Sequence, residues 1–376
     1  MSRPAYIFAG GGSGGHLYPA LAVVERLLEM QGDAQIVFAC SDREIDRRIL
    51  SSTPYAFVAQ PIRPPPRGLR GWGGFLRRWL TSGRLARELL ADVRPAAVLG
   101  LGGFAAVPVV RAAAGAGVRT GLLCIDAVAG AANRHLARRA GAIFTQFERT
   151  AADLGRGGAK ARLVGCPVRQ ALLRGDADEG RKLWSLGGDR RTLLVAAGSQ
   201  GAANINQAVA EIVPDLDELA GGWQLLHVAG PGKADELRAA LAGSKMRWAL
   251  LEFCERMDLA YALADVVLSR AGASTVAELT ATATPAVLMP YPYHRDQHQR
   301  HNAAALVSAG AAVEVIDARD RALNAQALRE SLLPLLRDPA PLEAMRSAAE
   351  ALVRPGAAEA IARWLTGLKQ SSSTGR

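Results

Sequence analysis

The stretch "FAGGGSGGHLYPALAV", residues 8–23, decides how the chain begins to fold. Five glycines and a serine join a short apolar run to a helical pattern, and His16 follows at once. A glycine-rich turn between a strand and a helix brings backbone N–H groups and the positive helix end close to a ligand. Gly10, Gly12 and Gly15 fit the spacing G-x-G-x-x-G, although a tight turn without a ligand can have the same sequence. The stretch predicts a strand, a phosphate-type turn and a helix.

Short apolar runs alternate with helical patterns along the rest of the chain. Strands that are buried on both faces and separated by helices are typical of doubly wound parallel sheets. The sequence therefore predicts an α/β protein with two Rossmann-like domains that face a cleft. The runs are AYIFAG, AQIVFAC, AAVLGLGG, TGLLCID and AIFTQF in the first half, and RTLLVAAG, WQLLHVAG, RWALLEF, ADVVLSR and PAVLMPY in the second.

At 376 residues the chain is long enough for two domains. We expect the first domain at residues 1–168 and the second at residues 191–354. The charged, glycine-punctuated stretch 169–190 is predicted to link them. A last helix is expected at 355–369, and the tail 370–376, "QSSSTGR", has a composition typical of disorder.

Composition narrows the class of protein. The four cysteines lie far apart without a CxxC pair, which favours reduced thiols in a cytosolic protein over disulfides or a zinc site. No apolar run is long enough to span a membrane, and the N-terminus lacks the apolar stretch of a signal peptide. The formal net charge of +10 indicates an anionic partner, such as phosphate, nucleic acid or an acidic membrane surface.

A second glycine-rich turn, "AAGSQGAANINQ" at residues 196–207, carries Ser199, Gly201 and Asn204. It follows the first apolar run of the second half and opens a helix. Ligands bind at the carboxyl edge of open α/β sheets, so the two turns are expected to face one site. The pattern G-x-x-x-x-G-K-[ST] is absent from the sequence, which argues against a P-loop NTPase.

The stretch 269–303 begins "SRAGASTVAEL", where a strand ends, a turn follows and a helix is expected to begin near Thr275. Glu278 would then lie in the first helical turn. A capping box between Thr275 and Glu278 explains this spacing. A carboxylate that binds the vicinal diol of a ribose, beside backbone amides that hold phosphates, explains it equally well.

Three histidines, His294, His298 and His301, follow in the same stretch at spacings of four and three. This spacing suits a metal site, but no second group of ligands supports one, and we expect no metal. Gln299 and Asn302 have side chains suited to sugar hydroxyls.

Six motifs in order identify a resemblance that covers nearly the whole chain: GGGSGGHLYPALAV, VLGLGGFAAVPVV, GCPVR, GSQGA, RAGASTVAEL and DQHQRHNA. The chain resembles the MurG family of inverting glycosyltransferases (glycosyltransferase family 28). These add N-acetylglucosamine from UDP-N-acetylglucosamine to the undecaprenyl-linked muramyl-pentapeptide of bacterial peptidoglycan synthesis. The resemblance implies the GT-B fold, the acceptor on the first domain, the nucleotide-sugar mostly on the second, and no cofactor. It also implies that the last helix packs on the first domain.

The resemblance also implies a role for particular residues. The diphosphate and acceptor side would be lined by Ser13, Gly14 and Gly15, and the nucleotide-sugar would meet Arg169 and Ser199. The backbone at Cys254 would read the uracil edge. The diphosphate and the ribose would be held by Ala273, Ser274, Thr275, Val276, Ala277 and Glu278, with Glu278 on the diol, and the sugar by Gln299.

The sequence departs from the family pattern at two places. In "LCID", residues 123–126, Asp126 stands where the family has an asparagine expected to touch the donor sugar. Cys166 replaces the asparagine of the usual NPVR motif. Both changes bear on sugar specificity rather than on the fold.

The chemistry itself points to His16. Inverting transfer of a sugar to an alcohol needs a base for the hydroxyl and stabilisation of the departing diphosphate. An imidazole is suited to proton transfer near neutral pH. Pro19, expected in the first helical turn, would aim His16 outward. The other interpretation is that the ring only braces the turn. Helix N-termini and Arg169 would neutralise the leaving UDP without a metal.

The stretch 61–94 carries eight arginines and two acidic residues around apolar residues at near-helical spacing. A solvated helix with a buried stripe fits this pattern. An interfacial surface, with tryptophans at headgroup depth and arginines on anionic lipid, fits a lipid-linked acceptor better. We therefore expect a peripheral protein at the cytoplasmic face of the inner membrane, with no nucleic-acid partner. The membrane-associating residues would be Trp72, Phe75, Leu76, Arg77, Arg78 and Trp79.

Three other functions fit parts of the sequence. A related GT-B transferase for another lipid acceptor would share the donor loops and the basic patch. A nicotinamide-dependent oxidoreductase would use residues 10–15 and an acidic residue near the end of the second strand, where Asp42 lies. A non-catalytic UDP-sugar-binding protein would tolerate the altered run at 123–126. Preference for UDP over NAD, and release of UDP, distinguish these possibilities.

Overall fold

A computed structural model describes residues 3–12, 14–66, 68, 70–196, 198, 201–293 and 296–368. The chain divides into two compact units: Met1–Arg169 together with Arg354–Arg376, and Gln170–Val353. No helix in the described ranges has both the length and the apolar character needed to cross a bilayer. Ser13, Ser199, His294 and the predicted tail at 370–376 lie outside the described residues.

The first unit is built on a parallel sheet. Its described strands are β1 (Ala5–Gly10), β2 (Gln35–Ser41), β3 (Ala56–Gln60), β4 (Ala97–Gly102), β5 (Arg119–Cys124), β6 (Ala142–Thr145) and β7 (Ala161–Leu163). They are ordered β3-β2-β1-β4-β5-β6-β7. β1 is buried along its whole length because helices cover both faces of the sheet, and it pairs with β2 on one side and β4 on the other.

Helices follow most of these strands and return the chain to the start of the next one. Aliphatic residues such as Ile7, Val98, Val110 and Ile143 form a core between the sheet and its helices. The helices are α1 (Gly14–Met30), α2 (Glu44–Ser51), α3 (Trp72–Val93), α4 (Ala106–Gly115), α5 (Ala131–Leu136) and α6 (Thr150–Asp153).

The second unit repeats this architecture. Its described strands are β8 (Arg191–Ala196), β9 (Trp223–Val228), β10 (Arg247–Leu251), β11 (Val266–Ser269), β12 (Ala286–Leu288) and β13 (Ala312–Glu314). Its helices are α7 (Ala177–Leu183), α8 (Ala203–Glu211), α9 (Val213–Asp217), α10 (Asp235–Leu241), α11 (Met257–Leu263), α12 (Ala273–Ala281), α13 (His298–Ser308), α14 (Arg321–Ser331), α15 (Leu333–Arg337) and α16 (Ala340–Ala351). The strand order is β10-β9-β8-β11-β12-β13, again parallel.

Each sheet therefore has a point where the strand order reverses, between β1 and β4 in the first and between β8 and β11 in the second. Connections leave to opposite sides there and open a crevice at the carboxyl ends of the strands. The predicted fold class, α/β with two Rossmann-like domains, is confirmed. The two predicted glycine-rich turns follow β1 and β8, at these reversal points.

The last described helix, α17 (Ala357–Thr366), belongs to the first unit and packs against α1. Ile361 and Leu365 are buried on it. Its Trp364 lies edge-on to Phe144 at 5.6 Å between ring centroids. A Cβ on Gly121 would lie 2.8 Å from the Trp364 ring, so β5 can carry no side chain there.

The structure differs from the sequence-based expectations in three places. Of the stretch 169–190, expected as a linker, residues 170–190 hold a 3₁₀ helix at Gln170–Arg174 and the helix α7. This segment is part of the second unit because Gly180 of α7 packs on α11 and Glu179 pairs with Arg256 at 2.8 Å.

Pro19 is not in the first turn of α1, because that helix already begins at Gly14 and Pro19 is its sixth residue. The strands β3, β7 and β13 are the third difference, since no apolar run predicted them. They are short, and most of their residues are only half-buried.

Candidate active site

The glycine turn after β1 is held by a buried carboxylate. Both oxygens of Asp46 accept the N–H of Gly12, at 2.9 and 2.8 Å. The Oδ2 atom also accepts the N–H of Ser41 at 3.0 Å and its hydroxyl at 2.6 Å. Gly11 has a φ of 147°, and a Cβ there would collide with the Asp46 carboxylate. Asp46 thus ties the turn to the end of β2.

Within the first unit, a further glycine turn follows β4 and packs directly on the turn after β1. A Cβ on Gly10 would lie 2.5 Å from the carbonyl oxygen of Gly102, and one on Gly103 would lie 2.5 Å from that of Gly11. Only glycine permits this approach. The two turns therefore form a single surface of backbone groups at the reversal point of the first sheet.

His16 is the third residue of α1 and stands beside this surface. A Cβ on Gly102 would lie 3.0 Å from Cε1 and 3.3 Å from Nδ1 of His16. Nδ1 is buried and has no hydrogen-bond partner in the part of the chain that the structure describes. Nε2 is therefore the ring nitrogen that can reach a ligand.

A cavity of about 410 Å³ opens in front of His16. Both glycine turns line it, through Gly11, Gly12 and residues 103–105. Arg43, Arg63 and Asp42 also line it: Arg43 donates to the carbonyl of Gly12 at 2.9 Å, and Arg63 pairs with Asp42 at 2.9 Å, which leaves Arg43 as the net positive charge of these three. Glycine backbone, the guanidinium group of Arg43 and an imidazole are suited to an anion with a nearby hydroxyl.

Three further predicted residues have places in the first unit. Gly14 and Gly15 are the first two residues of α1, next to the cavity-lining turn. Arg169 lies over the ring of Tyr18 of α1, with Cζ 4.7 Å from the ring centroid, which is a cation–π arrangement. Both Arg169 and His16 are therefore held beside the start of α1.

Asp126 follows β5, the neighbour of β4, at the same carboxyl edge of the sheet. Its carbonyl oxygen accepts the Thr150 hydroxyl at 3.0 Å. Burial and then the charge of Asp126 raise the pKa of the Cys124 thiol to about 12. The structure thus brings Asp126 to the edge where His16 and the glycine turns lie, and supplies a carboxylate there in place of the family's amide.

In the second unit, a buried ion pair joins the turn after β11 to α8. Arg270 pairs with Asp317 at 2.9 Å, and Asn204 of α8 donates to both carboxylate oxygens at 3.0 Å. Arg270 also donates to the carbonyl oxygens of Met289 and Pro290, at 2.9 and 3.2 Å, after β12. Three loops at the carboxyl edge are therefore fixed to one another.

The hydrogen bonds have an electrostatic consequence for Asp317. Burial by itself raises the pKa of this carboxyl. The N–H of Arg319 and the side chains of Asn204, Asn324 and Arg270 outweigh burial, and they hold the pKa below its ordinary value. Asp317 is therefore kept as an anion that anchors these loops.

The helix α12 begins at Ala273, with Gly272 at its N-cap, and no side chain of the described residues caps it. Ala273, Ser274, Thr275, Val276 and Ala277 form its first five residues. Glu278 is the sixth and Thr275 only the third, so the predicted start near Thr275 and the capping-box interpretation are wrong. The extended conformation of Gly272 starts the helix earlier.

Glu278 instead points to a neighbouring helix. Its Oε2 accepts the hydroxyl of Tyr261, from α11, at 3.0 Å. Cys254 lies just before α11 and is buried, and burial, as the largest cause, raises the pKa of its thiol to about 11. Gln299, the second residue of α13, accepts the N–H of Tyr291 through Oε1 at 2.9 Å.

Metal ligation finds no support in the geometry. His298 pairs with Asp296 at 2.8 Å, and His294 lies outside the described residues. Within the described ranges no three His, Cys, Asp or Glu side chains are grouped to hold a metal ion.

The N-terminal half of α3 presents an apolar patch, which we define as Trp72, Phe75, Leu76, Trp79 and Leu80. Trp72, Leu76 and Leu80 are 49, 55 and 62 % exposed. The Trp72 ring lies edge-on to Phe75 at 5.5 Å between centroids, and Phe75 stacks on Trp79 at 6.2 Å. Arg77 and Arg78 are exposed beside them. Trp79 is half-buried against the core of the first unit, and Arg111 lies over its ring at 5.4 Å. The exposed part of the patch is therefore formed by Trp72, Leu76 and Leu80.

Several residues of the site have no signal in the sequence. Asp46, Arg43 and Arg63 lie outside the glycine motifs, and Tyr261 lies in an ordinary amphipathic helix. The buried Asn133 stands close to Gly102 as well. The one available hint was the polar run "SDRE" at 41–44, directly after an apolar strand.

Comparison with known proteins gives a consistent result. Residues 6–145 match the glycosyltransferase family 28 N-terminal domain, and residues 192–361 match the C-terminal domain of the same family. The proteins of Chlorobaculum tepidum and Geobacter sulfurreducens are 36 and 34 % identical over 371 and 361 residues. The alignments cover 97 and 94 % of this chain and 99 and 96 % of theirs. Both are named UDP-N-acetylglucosamine--N-acetylmuramyl-(pentapeptide) pyrophosphoryl-undecaprenol N-acetylglucosamine transferase.

Solved structures agree. The crystal structure of Acinetobacter baumannii MurG matches with a TM-score of 0.74 at 25 % identity, covering 98 % of this chain and all of that one. A Staphylococcus aureus MnaA–UDP structure matches with a TM-score of 0.68 at 14 % identity, over all of both chains, which is a likeness of fold alone. With two family domains matched in order and relatives above 30 % identity along nearly its whole length, the chain belongs to glycosyltransferase family 28, within the family of MurG N-acetylglucosamine transferases.

Proposed function

We propose that this chain transfers N-acetylglucosamine from UDP-N-acetylglucosamine to the 4-hydroxyl of the lipid-linked N-acetylmuramyl-pentapeptide, the lipid I to lipid II step of peptidoglycan synthesis. The names of its relatives supply the two substrates. The observation that carries the proposal is the cavity of the first unit, where His16 stands beside two interlocked glycine turns. This cavity offers a base and anion-binding groups in one place.

The acceptor binds at that cavity. Its diphosphate lies on the backbone of the two glycine turns and against Arg43, beside Gly14 and Gly15 at the start of α1. Charge-assisted hydrogen bonds of this kind are about twice as strong as neutral ones, so the cavity selects a phosphorylated acceptor. The partial positive charge at the start of α1 favours the same anion. We assign Ser13 to the same diphosphate from the resemblance alone.

The donor binds in the second unit. The uncapped start of α12, residues 273–277, holds the diphosphate, and Glu278 accepts the ribose hydroxyls. The backbone at Cys254 reads the uracil edge, and Gln299 holds the sugar. Ser199 of this unit joins these contacts. Arg169 and Asp126, which the resemblance also assigns to the donor, belong to the first unit. Each of these groups has the hydrogen-bonding character that its part of the nucleotide-sugar needs.

The reaction proceeds by direct displacement. Nε2 of His16 accepts the proton of the acceptor 4-hydroxyl while its oxygen bonds to C1 of N-acetylglucosamine. The bond from C1 to the phosphate oxygen breaks, and its electron pair leaves with UDP. The start of α12 and Arg169 stabilise the charge that develops on the leaving diphosphate. Inversion at C1 follows from attack opposite the leaving group.

The α3 apolar patch holds the protein on the cytoplasmic face of the inner membrane. Exposed aromatic and aliphatic side chains enter the headgroup region, and Arg77 and Arg78 contact anionic lipid. The segment 62–64 that lines the cavity and the helix α3 belong to the same unit. The patch would therefore hold the acceptor-binding unit at the membrane that carries the lipid-linked acceptor.

The transfer reaction is the direct test. The full chain is incubated with UDP-N-acetylglucosamine and lipid-linked muramyl-pentapeptide, and UDP and the disaccharide product are measured. Release of UDP in equal amount to product is expected. Binding of UDP without turnover would identify a non-catalytic protein, and turnover only with diacylglycerol would identify a different lipid acceptor.

Membrane binding has its own test. The double variant Trp72→Ser/Leu76→Ser should bind phosphatidylglycerol vesicles more weakly than wild type, and higher salt should weaken the residual binding. The control is Ile316→Ser/Leu323→Ser, which removes side chains that are 68 and 60 % exposed in the second unit. Equal loss of binding in the two double variants would show that general surface hydrophobicity, not the α3 patch, is responsible.

A further inference from the structure

The carboxylate of Glu278 accepts a hydrogen bond from Tyr261, a residue outside the motifs that are predicted to bind ligand. Tyr261 is 3 % exposed and donates its hydroxyl to Oε2 of Glu278 at 3.0 Å. The two residues lie on different helices, α11 and α12. Glu278 itself is half-buried, so the hydrogen bond spans the boundary between the packed interior and the ligand side.

The donor of this hydrogen bond is rigid. Leu259, Ala260 and Leu263 of the same helix are buried as Tyr261 is, so this helix is anchored in the interior. Burial first, and then the charge of Glu278, raise the pKa of the Tyr261 hydroxyl well above its ordinary value. The hydroxyl therefore keeps its proton across the working pH range and remains a donor.

Tyr261 also connects two predicted parts of the nucleotide site. It lies on α11, the helix that follows the loop of Cys254, and its hydroxyl is bonded to Glu278. The loop expected to meet the uracil and the carboxylate expected to meet the ribose are therefore joined through α11.

We propose that Tyr261 is a positioning residue, which holds the Glu278 carboxylate in the orientation that recognises the ribose diol of the donor nucleotide. The inference rests on the proposed function, because it takes Glu278 to bind the ribose. A free glutamate must lose rotational freedom about its side chain when it binds a diol. A glutamate with Oε2 already fixed has lost part of this freedom before binding. The preference for a 2′-hydroxyl therefore depends on Tyr261.

The experiment compares the affinities of UDP and 2′-deoxy-UDP for the full chain by calorimetry. The variants are Tyr261→Phe, which removes only the hydroxyl, and Glu278→Gln. The matched control is Tyr6→Phe, because the Tyr6 hydroxyl is buried in the first unit and donates to Gln31 at 2.6 Å. Melting temperatures of all variants show the cost of losing a buried hydroxyl bond.

Wild type is expected to prefer UDP over 2′-deoxy-UDP. Tyr261→Phe should lower the affinity for UDP by about 3- to 10-fold, which is part of the strength of a hydrogen bond to a charged group, and should change that for 2′-deoxy-UDP by less than about twofold. Glu278→Gln should abolish the preference. Tyr6→Phe should lower the melting temperature about as much as Tyr261→Phe and keep the wild-type preference.

Two results would overturn the inference, and they are distinguishable. If Glu278→Gln abolishes the preference while Tyr261→Phe retains it, Tyr261 only stabilises the fold and the ribose assignment stands. If Glu278→Gln retains the preference, the ribose assignment in the proposed function is wrong, and the role of Tyr261 falls with it.

Discussion

Replacement of Asp46 by alanine removes the group that holds the glycine turn after β1. The carboxylate is 0 % exposed and accepts hydrogen bonds from Gly12 and from both the N–H and the hydroxyl of Ser41. Alanine accepts none of these bonds. Two backbone N–H groups and one hydroxyl would have to find water at the cavity or remain without a partner.

The magnitude follows from these contacts. A hydrogen bond to a charged group contributes about 1.5–3 kcal/mol, and a buried donor without a partner costs about 1–3 kcal/mol. For the two backbone donors together we expect a loss of roughly 3–5 kcal/mol in the free energy of unfolding of the first unit. For a unit of this size that loss lowers the melting temperature by roughly 10 °C. Asp46→Asn keeps one acceptor oxygen and should lose about half as much.

Thermal unfolding followed by circular dichroism measures this loss, and steady-state kinetics measure its effect on function. The KM for the lipid-linked acceptor should rise, because the turn lines the acceptor cavity, while UDP affinity should be retained. Glu44→Gln is the matched control, since Glu44 is exposed in the same first turn of α2 and should change stability by less than about 0.5 kcal/mol. If Asp46→Ala is as stable as Glu44→Gln and has a normal acceptor KM, the carboxylate does not anchor the turn.

Three further predictions concern other contacts. His16→Ala should lower kcat by about 10²–10⁴-fold with little change in the donor KM, and added imidazole should restore part of the rate. A parallel fall in melting temperature and donor affinity, without rescue, would instead mean that the ring braces the turn. The carboxyl of Asp317 has a lowered pKa when folded, so its contribution is present above the unfolded value of about 4 and lost as the pH falls through the folded value. Unfolding measured between about pH 6 and 2 should therefore show a shallower acid loss in Asp317→Asn than in wild type, and identical slopes would contradict the assignment. Trp364→Ala should destabilise the first unit by on the order of 3 kcal/mol, because the ring fills the space over Gly121 and beside Phe144. Urea unfolding measures this loss, and an unchanged free energy of unfolding would contradict the prediction.

The central strands and the glycine turns were predictable from the sequence because their determinants are local. A strand buried on both faces must be apolar at nearly every position, as β1 and β4 are. Two turns whose backbones approach this closely must have glycine at the contact, as at Gly10 and Gly103. Both requirements leave a signature within a few residues of the chain. The edge strands β3, β7 and β13 carry no such signature, because one side of each remains partly exposed.

The start of α12 shows where local reasoning fails. Thr275 and Glu278 have the spacing of a capping box, but the glycine before Ala273 already adopts the extended conformation that begins the helix. The correct partner of Glu278 is Tyr261, 17 residues earlier and on another helix. No periodicity or motif joins these two positions.

The sequence by itself determined the fold class, the positions of the phosphate-type turns and the identity of His16 as the candidate base. Each of these depends on residue types that are close together in the chain. The tertiary structure decided that Asp46 anchors the first turn across 34 residues, that Asp317 anchors α8 across 113 residues, and that Tyr261 holds Glu278. Such pairs exist only after the parallel strands have aligned their carboxyl ends at one edge. The crossover helices separate those ends widely in sequence, so the pairing that orients the site has no local pattern to reveal it.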